Sequence, residues 1–511
     1  MVMQSLPQLA YAGTTVLAKE AEVAQSKGIV LYELMKRAGQ AVFNYIDSVY
    51  PNHSLLVLCG KGNNGGDGFV VARLALQQSI TVKVVLFARI AQLKGDARQA
   101  CDEYLAIGGE IEEVDQDVLV PDDSKYEAYQ LVVDAVFGIG FKGQLPSLVA
   151  NFFAMIQARQ LPVVSIDVPS GVNATTGEVS SHAIIAKATV IFMAMKQGLL
   201  TGEACHHVGE LVFESLSLAH RFCQLVKTTT QRQTTENLPT LLPRVIHQHK
   251  GHIGLLLTIG GQSGMPGAIR LASEAALRCG APLVSVLSAE QNHSMIMNNR
   301  YELMLAGSDV ADLQANIALK KAKAAVIGPG LGQSEWAQSL LDFMLCSDLD
   351  LVIDADALSL LASNQTLMQG HTGARVLTPH PKEAAILLGC SIAAIENNRF
   401  DAVKKIANTY QCVCLLKGPG TLVSDGKQVF INTTGNHAMA TGGMGDVLAG
   451  MIGALILQTD NLLDATRLAV YLHGKAGDNI AAEQGYVGLL ASDLFSVFPT
   501  LLQSVYEPVS S

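Results

Sequence analysis

A glycine-rich turn, Gly442-Gly443-Met444-Gly445-Asp446, leads directly into the apolar segment Val447–Leu455. A turn of this kind at the start of a helix presents free backbone N–H groups and the positive end of the helix dipole to an anion. Asp446 stands at the helix entrance, where its carboxylate either has a chemical role or caps the helix. The turn predicts a phosphate-binding device, and an ordinary capped loop stays open as the alternative.

A second glycine-rich segment, residues 60–68, follows the apolar run Ser54–Cys59 and reads Gly60-Lys61-Gly62-Asn63-Asn64-Gly65-Gly66-Asp67-Gly68. We expect a strand, then this loop, then a helix from Phe69 to Gln77, which is the phosphate-cradling unit of an open α/β sheet. The segment matches neither a Walker A motif nor GxGxxG. A tight turn that uses Asn and Gly for positive φ is the structural alternative.

Two further apolar runs end in polar loops, the first at Asp134 and the second at Asp167, which leads into Ser170. The carboxyl ends of parallel strands meet at one edge of a sheet, where ligands bind in this architecture. Oxygen atoms of Asn64, Asp134 and Ser170 could together hold a hard cation there. Each of these side chains alone is more typical of a satisfied loop residue, but the set together with Asp167 predicts a site.

Composition indicates a large globular protein. The 511 residues are too many for one core and suggest two large domains or three small ones. The 35 Lys and Arg residues against 45 Asp and Glu residues give a net charge of −10, which does not favour nucleic acid. The nine cysteines are dispersed, as in reduced, mostly buried thiols. Without a signal peptide or a long apolar run, we expect a soluble, cytoplasmic protein that does not enter membranes.

The second half of the chain repeats the strand-and-loop pattern. Five apolar runs, Leu255–Ile259, Ala324–Ile327, Leu351–Ile353, Val376–Thr378 and Cys412–Leu416, each end in a polar or Gly/Pro loop. The polar, Thr-rich stretch 226–239 precedes this series and predicts a linker. We therefore predict an α/β protein with two three-layer αβα domains, residues 1–225 and 240–511.

Residues 1–220 resemble the NAD(P)H-hydrate epimerase domain. The motifs are Tyr32–Gly39, the Asn63–Asp67 loop, the Asp134–Gly143 loop and Asp167-Val168-Pro169-Ser170-Gly171. The resemblance implies a Rossmann-like domain in which Asn64, Asp134 and Ser170 bind potassium and Asp167 is the acid/base residue. It also implies that the hydrated dinucleotide binds at Asn63, Asn64, Gly65, Gly66, Asp67, Gly138, Ile139, Gly140, Phe141, Lys142, Gly143, Gln144 and Asp167.

Residues 240–500 resemble the NAD(P)H-hydrate dehydratase branch of the ribokinase-like fold. The motifs, in order, are His249-Lys250-Gly251-His252-Ile253-Gly254, Met265-Pro266-Gly267-Ala268, Gly328-Pro329-Gly330-Leu331-Gly332, Asp354–Leu358, Thr378-Pro379-His380-Pro381-Lys382-Glu383, Lys417-Gly418 and the Gly442–Asp446 turn. The family turn usually reads Gly-Thr-Gly-Asp, so Met444 replaces a hydroxyl.

The resemblance assigns Ala268, Gly330, His380 and Asp446 to the hydrated dinucleotide. It assigns Lys417, Gly418, Pro419, Gly420, Thr421 and Gly445 to ADP or AMP. Outside the family pattern, His380 between two prolines would be structural and Lys417 could be a solvated lysine.

The implied function is repair of hydrated NADH and NADPH. The first domain interconverts the R and S hydrates at nicotinamide C6, and the second uses a nucleotide to dehydrate the S hydrate, releasing AMP and phosphate. Asp446 would accept the hydroxyl proton while the turn stabilises the phosphoryl group. ADP with Mg²⁺ is expected, ATP is the alternative nucleotide, and the resemblance suggests a homo-oligomer. The competing hypothesis is a ribokinase-like small-molecule kinase with a non-catalytic N-terminal binding domain.

Overall fold

The computed structural model describes residues 5–114, 123–241, 254–315, 321–363 and 371–506. The chain divides into two compact units, Met1–Gln231 and Arg232–Ser511. The boundary falls within the stretch predicted as a linker, which contains a short strand at Thr230–Arg232 and a 3-10 helix at Thr235–Asn237. Of the predicted motifs, His249, Lys250, Gly251, His252 and Ile253 lie outside the described residues.

Unit 1 is a doubly wound α/β domain. Its strands are β1 Leu9–Tyr11, β2 Leu55–Cys59, β3 Val82–Leu86, β4 Ile111–Glu113, β5 Leu131–Ala135, β6 Val163–Ile166, β7 Ala188–Phe192, β8 Met195–Lys196, β9 Glu210–Glu214 and β10 Thr230–Arg232. Its helices are α1 Gly13–Gln25, α2 Leu31–Val49, α3 Asn63–Gln77, α4 Gly95–Ala106, α5 Ser147–Ala158, α6 Ala204–His207 and α7 Ala219–Leu225.

Seven strands of unit 1 form a parallel sheet in the order β4-β3-β2-β5-β6-β7-β9. The chain reverses its direction of winding between β2 and β5, which is the switch point where ligands bind in open α/β sheets. β1 lies outside this sheet and pairs with β8 and β10. The residues of β2 and β5 are completely buried because helices cover both faces of the sheet.

Unit 2 is a larger αβα domain. Its strands are β11 Leu255–Ile259, β12 Leu283–Leu287, β13 Leu303–Gly307, β14 Ala322–Ile327, β15 Asp350–Ile353, β16 Arg375–Leu377, β17 Val413–Leu416, β18 Leu422–Ser424 and β19 Val429–Ile431. Its helices are α8 Pro266–Arg278, α9 His293–Met297, α10 Val310–Ala315, α11 Glu335–Leu345, α12 Asp356–Ser363, α13 Pro381–Leu388, α14 Ile392–Asn397, α15 Arg399–Tyr410, α16 Met444–Ile456, α17 Leu462–Gln484 and α18 Phe498–Gln503.

The sheet of unit 2 runs β13-β12-β11-β14-β15-β16-β17-β18-β19. The strands from β13 to β17 are parallel, and β18 and β19 continue the sheet as antiparallel strands. Each of the five strands predicted from the sequence is present. β12 and β13 extend the parallel part, and their mixed or partly exposed patterns gave no equally clear signal.

Helix α16, which begins at the Asp446 turn, packs closely on α8. A Cβ atom added to Gly450 would lie 2.0 Å from the carbonyl oxygen of Ala272. Glycine at this position therefore permits the two helices to touch. Nearly every side chain of α16 beyond the turn is buried, so the helix is a fixed element of the core.

One predicted boundary in unit 1 is wrong. The sequence predicts a loop through Gly68 and a helix from Phe69, whereas α3 already begins at Asn63. The four glycines between residues 62 and 68 lower helix propensity, but burial of Gly65, Gly66 and Gly68 beneath the neighbouring elements overrides this local preference. Asn64 and Asp67 consequently project from the first turns of a helix.

None of the helices formed by the described residues combines the length and hydrophobicity that a membrane-spanning segment requires. Five of the nine cysteines, Cys59, Cys101, Cys279, Cys412 and Cys414, are buried free thiols.

Candidate active sites

Unit 1 contains a cavity of about 750 Å³ at the carboxyl ends of its central strands. It lies beside the switch point between β2 and β5, where this topology leaves a crevice. Most residues of the predicted substrate set line it, namely Asn63, Asn64, Asp67, Gly138, Ile139, Gly140, Phe141, Lys142, Gln144 and Asp167.

Three predicted substrate residues, Gly65, Gly66 and Gly143, do not belong to the described lining of this cavity. Gly65 and Gly66 are buried behind it. A Cβ atom on Gly65 would lie 1.9 Å from the carbonyl oxygen of Gly60, so this glycine allows the helix to pack against the preceding loop.

Asp167 is fixed by a buried lysine. Its backbone is left-handed, with φ of 63°, immediately after β6. The Asp167 carboxylate accepts hydrogen bonds from the Lys196 ammonium and, at 3.1 Å, from the Phe192 backbone N–H. Lys196 is only 1% exposed and also donates to the Phe192 carbonyl at 2.8 Å. The pair therefore holds the Asp167 carboxylate in one orientation on the cavity wall.

Asn64, Asp134 and Ser170 meet around the backbone of Phe137. The Asn64 amide donates to the Phe137 carbonyl at 3.0 Å, and the Phe137 N–H donates to Ser170 Oγ at 2.8 Å. Ser170 Oγ in turn donates to Asp134 at 2.5 Å. Burial raises the pKa of Asp134, opposed by hydrogen bonds from Ser170 and Ser165. The set offers only oxygen ligands, which suits a hard cation such as potassium.

Two more carboxyl groups face the same cavity. Glu20 comes from α1 and Asp67 from α3. Burial raises the pKa of both, and the Asp167 carboxylate raises it further. No described residue forms a hydrogen bond to either side-chain carboxyl, unlike Asp167 and Asp134.

In unit 2 the glycine turn forms as predicted and opens helix α16. Gly443 precedes the helix with φ of 90°, a left-handed conformation that L side chains rarely adopt. Asp446 lies in the first turn and makes no side-chain capping bond at Gly443. A Cβ on Gly445 would lie 3.3 Å from Lys417 Nζ, so the lysine ammonium stands directly beside the turn.

Lys417 joins the turn to the neighbouring strand ends. Its ammonium donates to Asp354 Oδ1 at 2.6 Å, and Thr378 Oγ1 donates to the same oxygen at 2.6 Å. Burial alone lowers the pKa of Lys417, but the carboxylates of Asp354 and Glu383 outweigh it and raise the pKa. Burial, followed by the like charge of Asp354, raises the pKa of Asp446 to about 7. Asp446 is therefore poised to accept a proton near neutral pH.

His380 has a structural role that is visible directly. Its Nδ1 accepts the Glu383 N–H at 3.1 Å, and the Glu383 carboxylate accepts the His380 N–H at 2.8 Å. This reciprocal capping box begins α13. His380 Nε2 also lies 3.2 Å from Glu383 Oε1. The imidazole is still 47% exposed, so capping leaves part of the ring free to meet a ligand.

The remaining predicted residues occupy adjoining loops. Gly330 and Ala268 are neighbours, because a Cβ on Gly330 would lie 3.1 Å from Ala268 Cβ. Beyond Lys417, the loop through Gly418, Pro419 and Gly420 is closed by a hydrogen bond of 2.8 Å from Thr421 Oγ1 to the Gly418 carbonyl.

Met444 and His473 lie on the buried side of the turn. Met444 is 7% exposed and belongs to the apolar core, so the position offers a ligand no side-chain hydroxyl. His473 forms a hydrogen bond with the backbone of Met444, and burial followed by the Lys417 charge lowers its pKa to about 4. The turn thus rests on an apolar side chain and a neutral imidazole. Its exposed groups are backbone atoms and Asp446.

Comparison with known proteins identifies both halves. A family model described as YjeF-related protein N-terminus matches residues 31–198, and one described as NAD(P)H-hydrate dehydratase matches residues 256–500. The chain is 41% identical to the bifunctional NAD(P)H-hydrate repair enzyme Nnr of Coxiella burnetii, over 93% of this chain and 95% of that protein. The chain belongs to the bifunctional NAD(P)H-hydrate repair enzyme family.

A second member of the NAD(P)H-hydrate repair enzyme family, Nnr of Escherichia coli K12, is also 41% identical, over 99% of this chain and 95% of that protein. Among solved structures, a ribokinase-like superfamily protein from Enterococcus faecalis superposes with a TM-score of 0.51 and 28% identity, covering 55% of this chain and 99% of that one. These findings confirm the predicted family, the two α/β domains and the bifunctional epimerase and dehydratase activity.

Several residues around the two sites were not predicted from the sequence. Lys196 carried a usable signal, because a lysine in the apolar run Phe192–Leu200 must be paired if that run is buried. Arg399, 1% exposed, donates to the Lys417 carbonyl at 2.8 Å and so orders the nucleotide-side loop. Glu20 and His473 lie on helices far from any motif, and only the tertiary structure brings them to a site.

Proposed function

We propose that residues 1–225 epimerise the R and S hydrates of NADH and NADPH, and that residues 240–511, after a linker at 226–239, dehydrate the S hydrate with ADP. The observation that carries the proposal is the pair of separately built acid/base sites. Asp167 is held by Lys196 in a dinucleotide-sized cavity, and Asp446 stands beside Lys417 at a glycine turn. Each site contains a carboxylate suited to one of the two reactions.

In the epimerase site, Asp167 moves the proton that accompanies breaking and remaking of the C6–oxygen bond. Lys196 and the Phe192 N–H keep its carboxylate oriented. Potassium would be held by oxygens of Asn64, Asp134 and Ser170, where it would supply positive charge for the dinucleotide. The fit is supported by the meeting of these three oxygen-bearing side chains around the Phe137 backbone.

In the dehydratase site, Asp446 accepts the proton of the C6 hydroxyl as that oxygen attacks the terminal phosphorus of ADP. The turn's N–H groups and Lys417 stabilise negative charge on the transferred group. Phosphate then leaves with the electron pair of the C6–oxygen bond, and loss of a proton from C5 restores the ring double bond. Ala268, Gly330 and His380 would bind the dinucleotide. Lys417, Gly418, Pro419, Gly420, Thr421 and Gly445 would bind the nucleotide.

Mg²⁺ would enter this site on the nucleotide phosphates, where it neutralises charge. No three His, Cys, Asp or Glu side chains cluster as a metal site in the part of the chain that the structure describes. The family resemblance favours ADP over ATP and also a homo-oligomer, whose mass light scattering would measure.

The direct test follows absorbance at 340 nm after a mixture of R and S hydrates is added to the purified chain with ADP, ATP or neither. We expect complete conversion to the reduced cofactor with a nucleotide and a faster rate with ADP. An Asp167→Ala variant should consume only the S fraction once spontaneous epimerisation is subtracted. A phosphorylated product without absorbance gain would instead identify a small-molecule kinase.

A further inference from the structure

The epimerase cavity contains more carboxyl groups than nearby cations can neutralise. Its lining includes Asp96 on α4 and three further carboxyls, Glu20 on α1, Asp67 on α3 and Asp167 after β6. The buried cation among them is Lys196, and its ammonium is committed to Asp167. Burial, followed by the like charge of neighbouring carboxylates, raises the pKa of Glu20 and of Asp67 and so favours their acid forms.

The hydrogen bonds of Asp167 distinguish it from Glu20. Asp167 accepts two hydrogen bonds, from Lys196 and from the Phe192 N–H, and both favour its carboxylate form. Glu20 receives no hydrogen bond from a described residue, although its side chain is on the cavity wall.

Burial and two neighbouring charged groups shift the pKa of Glu20. Burial raises its pKa, Asp167 raises it further, and Lys196 opposes both effects. For Asp67, the strongest charge effect after burial comes from Glu20, followed by Asp167. Glu20 lines the same cavity as Asp167 and Lys196, and the charges of both act on it.

The other charged groups on the cavity wall are Lys61, Lys142 and Asp96. They do not contribute to the shift of Glu20, whose charge partners are Asp167 and Lys196. Glu20, whose raised pKa favours the acid form, thus shares one cavity with Asp167, whose carboxylate is held by Lys196.

We propose that Glu20 is the general acid that acts with Asp167 as general base in C6 epimerisation, an inference that rests on the proposed epimerase function. Glu20 donates its proton to the departing C6 hydroxyl, which leaves as water. The electron pair of the ring nitrogen forms a double bond to C6 as the C6–oxygen bond breaks.

A water molecule then adds to the other face of C6, and Asp167 takes one of its protons while the nitrogen regains its electron pair. One water has left and one has entered, so the product is the opposite epimer. Glu20 is now ionised and Asp167 protonated. The same two residues, with their roles exchanged, therefore catalyse the reverse reaction, as an epimerase requires.

The test compares Glu20→Gln with Glu22→Gln in the full chain. Glu22 is a matched control on the same helix, because it is exposed and pairs at 2.7 Å with Lys19. Conversion of the purified R hydrate to the S hydrate is followed by chromatography across pH. We expect Glu20→Gln to lower the rate about 100-fold or more and to abolish the alkaline decline that reports loss of the Glu20 proton.

Glu22→Gln should retain the wild-type rate and pH profile. In water enriched in ¹⁸O, each wild-type epimerisation should introduce one solvent oxygen at C6. Glu20→Gln activity within about threefold of wild type, an unchanged alkaline limb or absence of ¹⁸O would overturn the inference. A wild-type protein that fails to interconvert the hydrates would instead refute the proposed epimerase function. Thermal unfolding of Glu20→Gln distinguishes lost chemistry from lost folding.

Discussion

Lys196 and Asp167 form a buried ion pair at the edge of the unit 1 sheet, with the lysine 1% and the aspartate 14% exposed. The lysine also donates to the Phe192 carbonyl, while the Phe192 N–H donates to Asp167. The last residue of β7 therefore binds both members of the pair. The Asp167 carboxylate is thus oriented by the Lys196 ammonium, which is itself held by the Phe192 carbonyl.

Replacing Lys196 with methionine should lower epimerase activity about 100-fold or more, because the carboxylate loses its orientation and its partner. It should also lower the free energy of unfolding by about 3–5 kcal/mol, since a partly buried charge is left unpaired. Urea unfolding and the R-to-S assay measure the two effects. The double variant Lys196→Met with Asp167→Asn should regain much of the stability but none of the activity. Recovery of activity would contradict the assignment of Asp167.

Replacing Asp446 with asparagine should reduce dehydratase activity by about 10²- to 10⁴-fold, the usual contribution of a general base. The same change should raise the melting temperature at pH 8 by about 2–4 °C. The pKa of Asp446 is about 7 in the folded protein, above its value in the unfolded chain. This carboxyl therefore contributes fully to the free energy of unfolding below its unfolded pKa, and that contribution is lost as pH rises through about 7. The gain should therefore be smaller at pH 5. Near wild-type dehydration by the variant would refute the proposed role.

The dehydratase should show a pH dependence set by Asp446. Its kcat/KM for the S hydrate should rise with pH through about 7 as the carboxyl ionises. Replacing Asp354 with asparagine removes a like charge and releases Lys417 from its 2.6 Å contact. Both changes favour the Asp446 carboxylate, so the acid limb should move down by about one pH unit or more. An upward shift would contradict the arrangement described for these charges.

His380 can be tested for capping and binding separately. His380→Asn should keep the free energy of unfolding, because asparagine is a good N-cap, whereas His380→Ala should lose about 1 kcal/mol. Both variants should raise the KM for the S hydrate about tenfold if the exposed ring contacts it. Chemical denaturation and steady-state assays distinguish the two roles. Wild-type KM in His380→Asn would leave the residue with a capping role alone.

The potassium proposal predicts that Asn64→Ala raises the potassium concentration for half-maximal epimerase activity about tenfold or more. The substitution removes an oxygen ligand and the 3.0 Å contact with the Phe137 carbonyl. Titration with KCl at constant ionic strength, with choline chloride making up the balance, measures the effect. Activity independent of potassium in the wild-type chain would remove the basis for the site.

Much of this architecture was predictable because parallel strands are buried on both faces and read as continuous apolar runs. β2 and β11 are examples, and each ends in a loop whose composition already indicated ligand binding. The start of α3 was not predictable, since glycine disfavours helix locally and only the close packing behind the loop selects it. The capping role of His380 likewise depends on the orientation of Glu383.

By itself, the sequence determined the order of strand-end motifs, the two α/β domains and the identities of Asp167 and Asp446 as candidate acid/base residues. These features depend on local patterns of hydrophobicity, glycine and carboxylates. The tertiary structure alone decided their partners and surroundings, because burial and Coulomb interaction depend on distances between residues remote in the chain. Glu20 and Asp167 line one cavity only in the folded domain, and Lys417 stands beside the Asp446 turn only when α16 begins next to the end of β17.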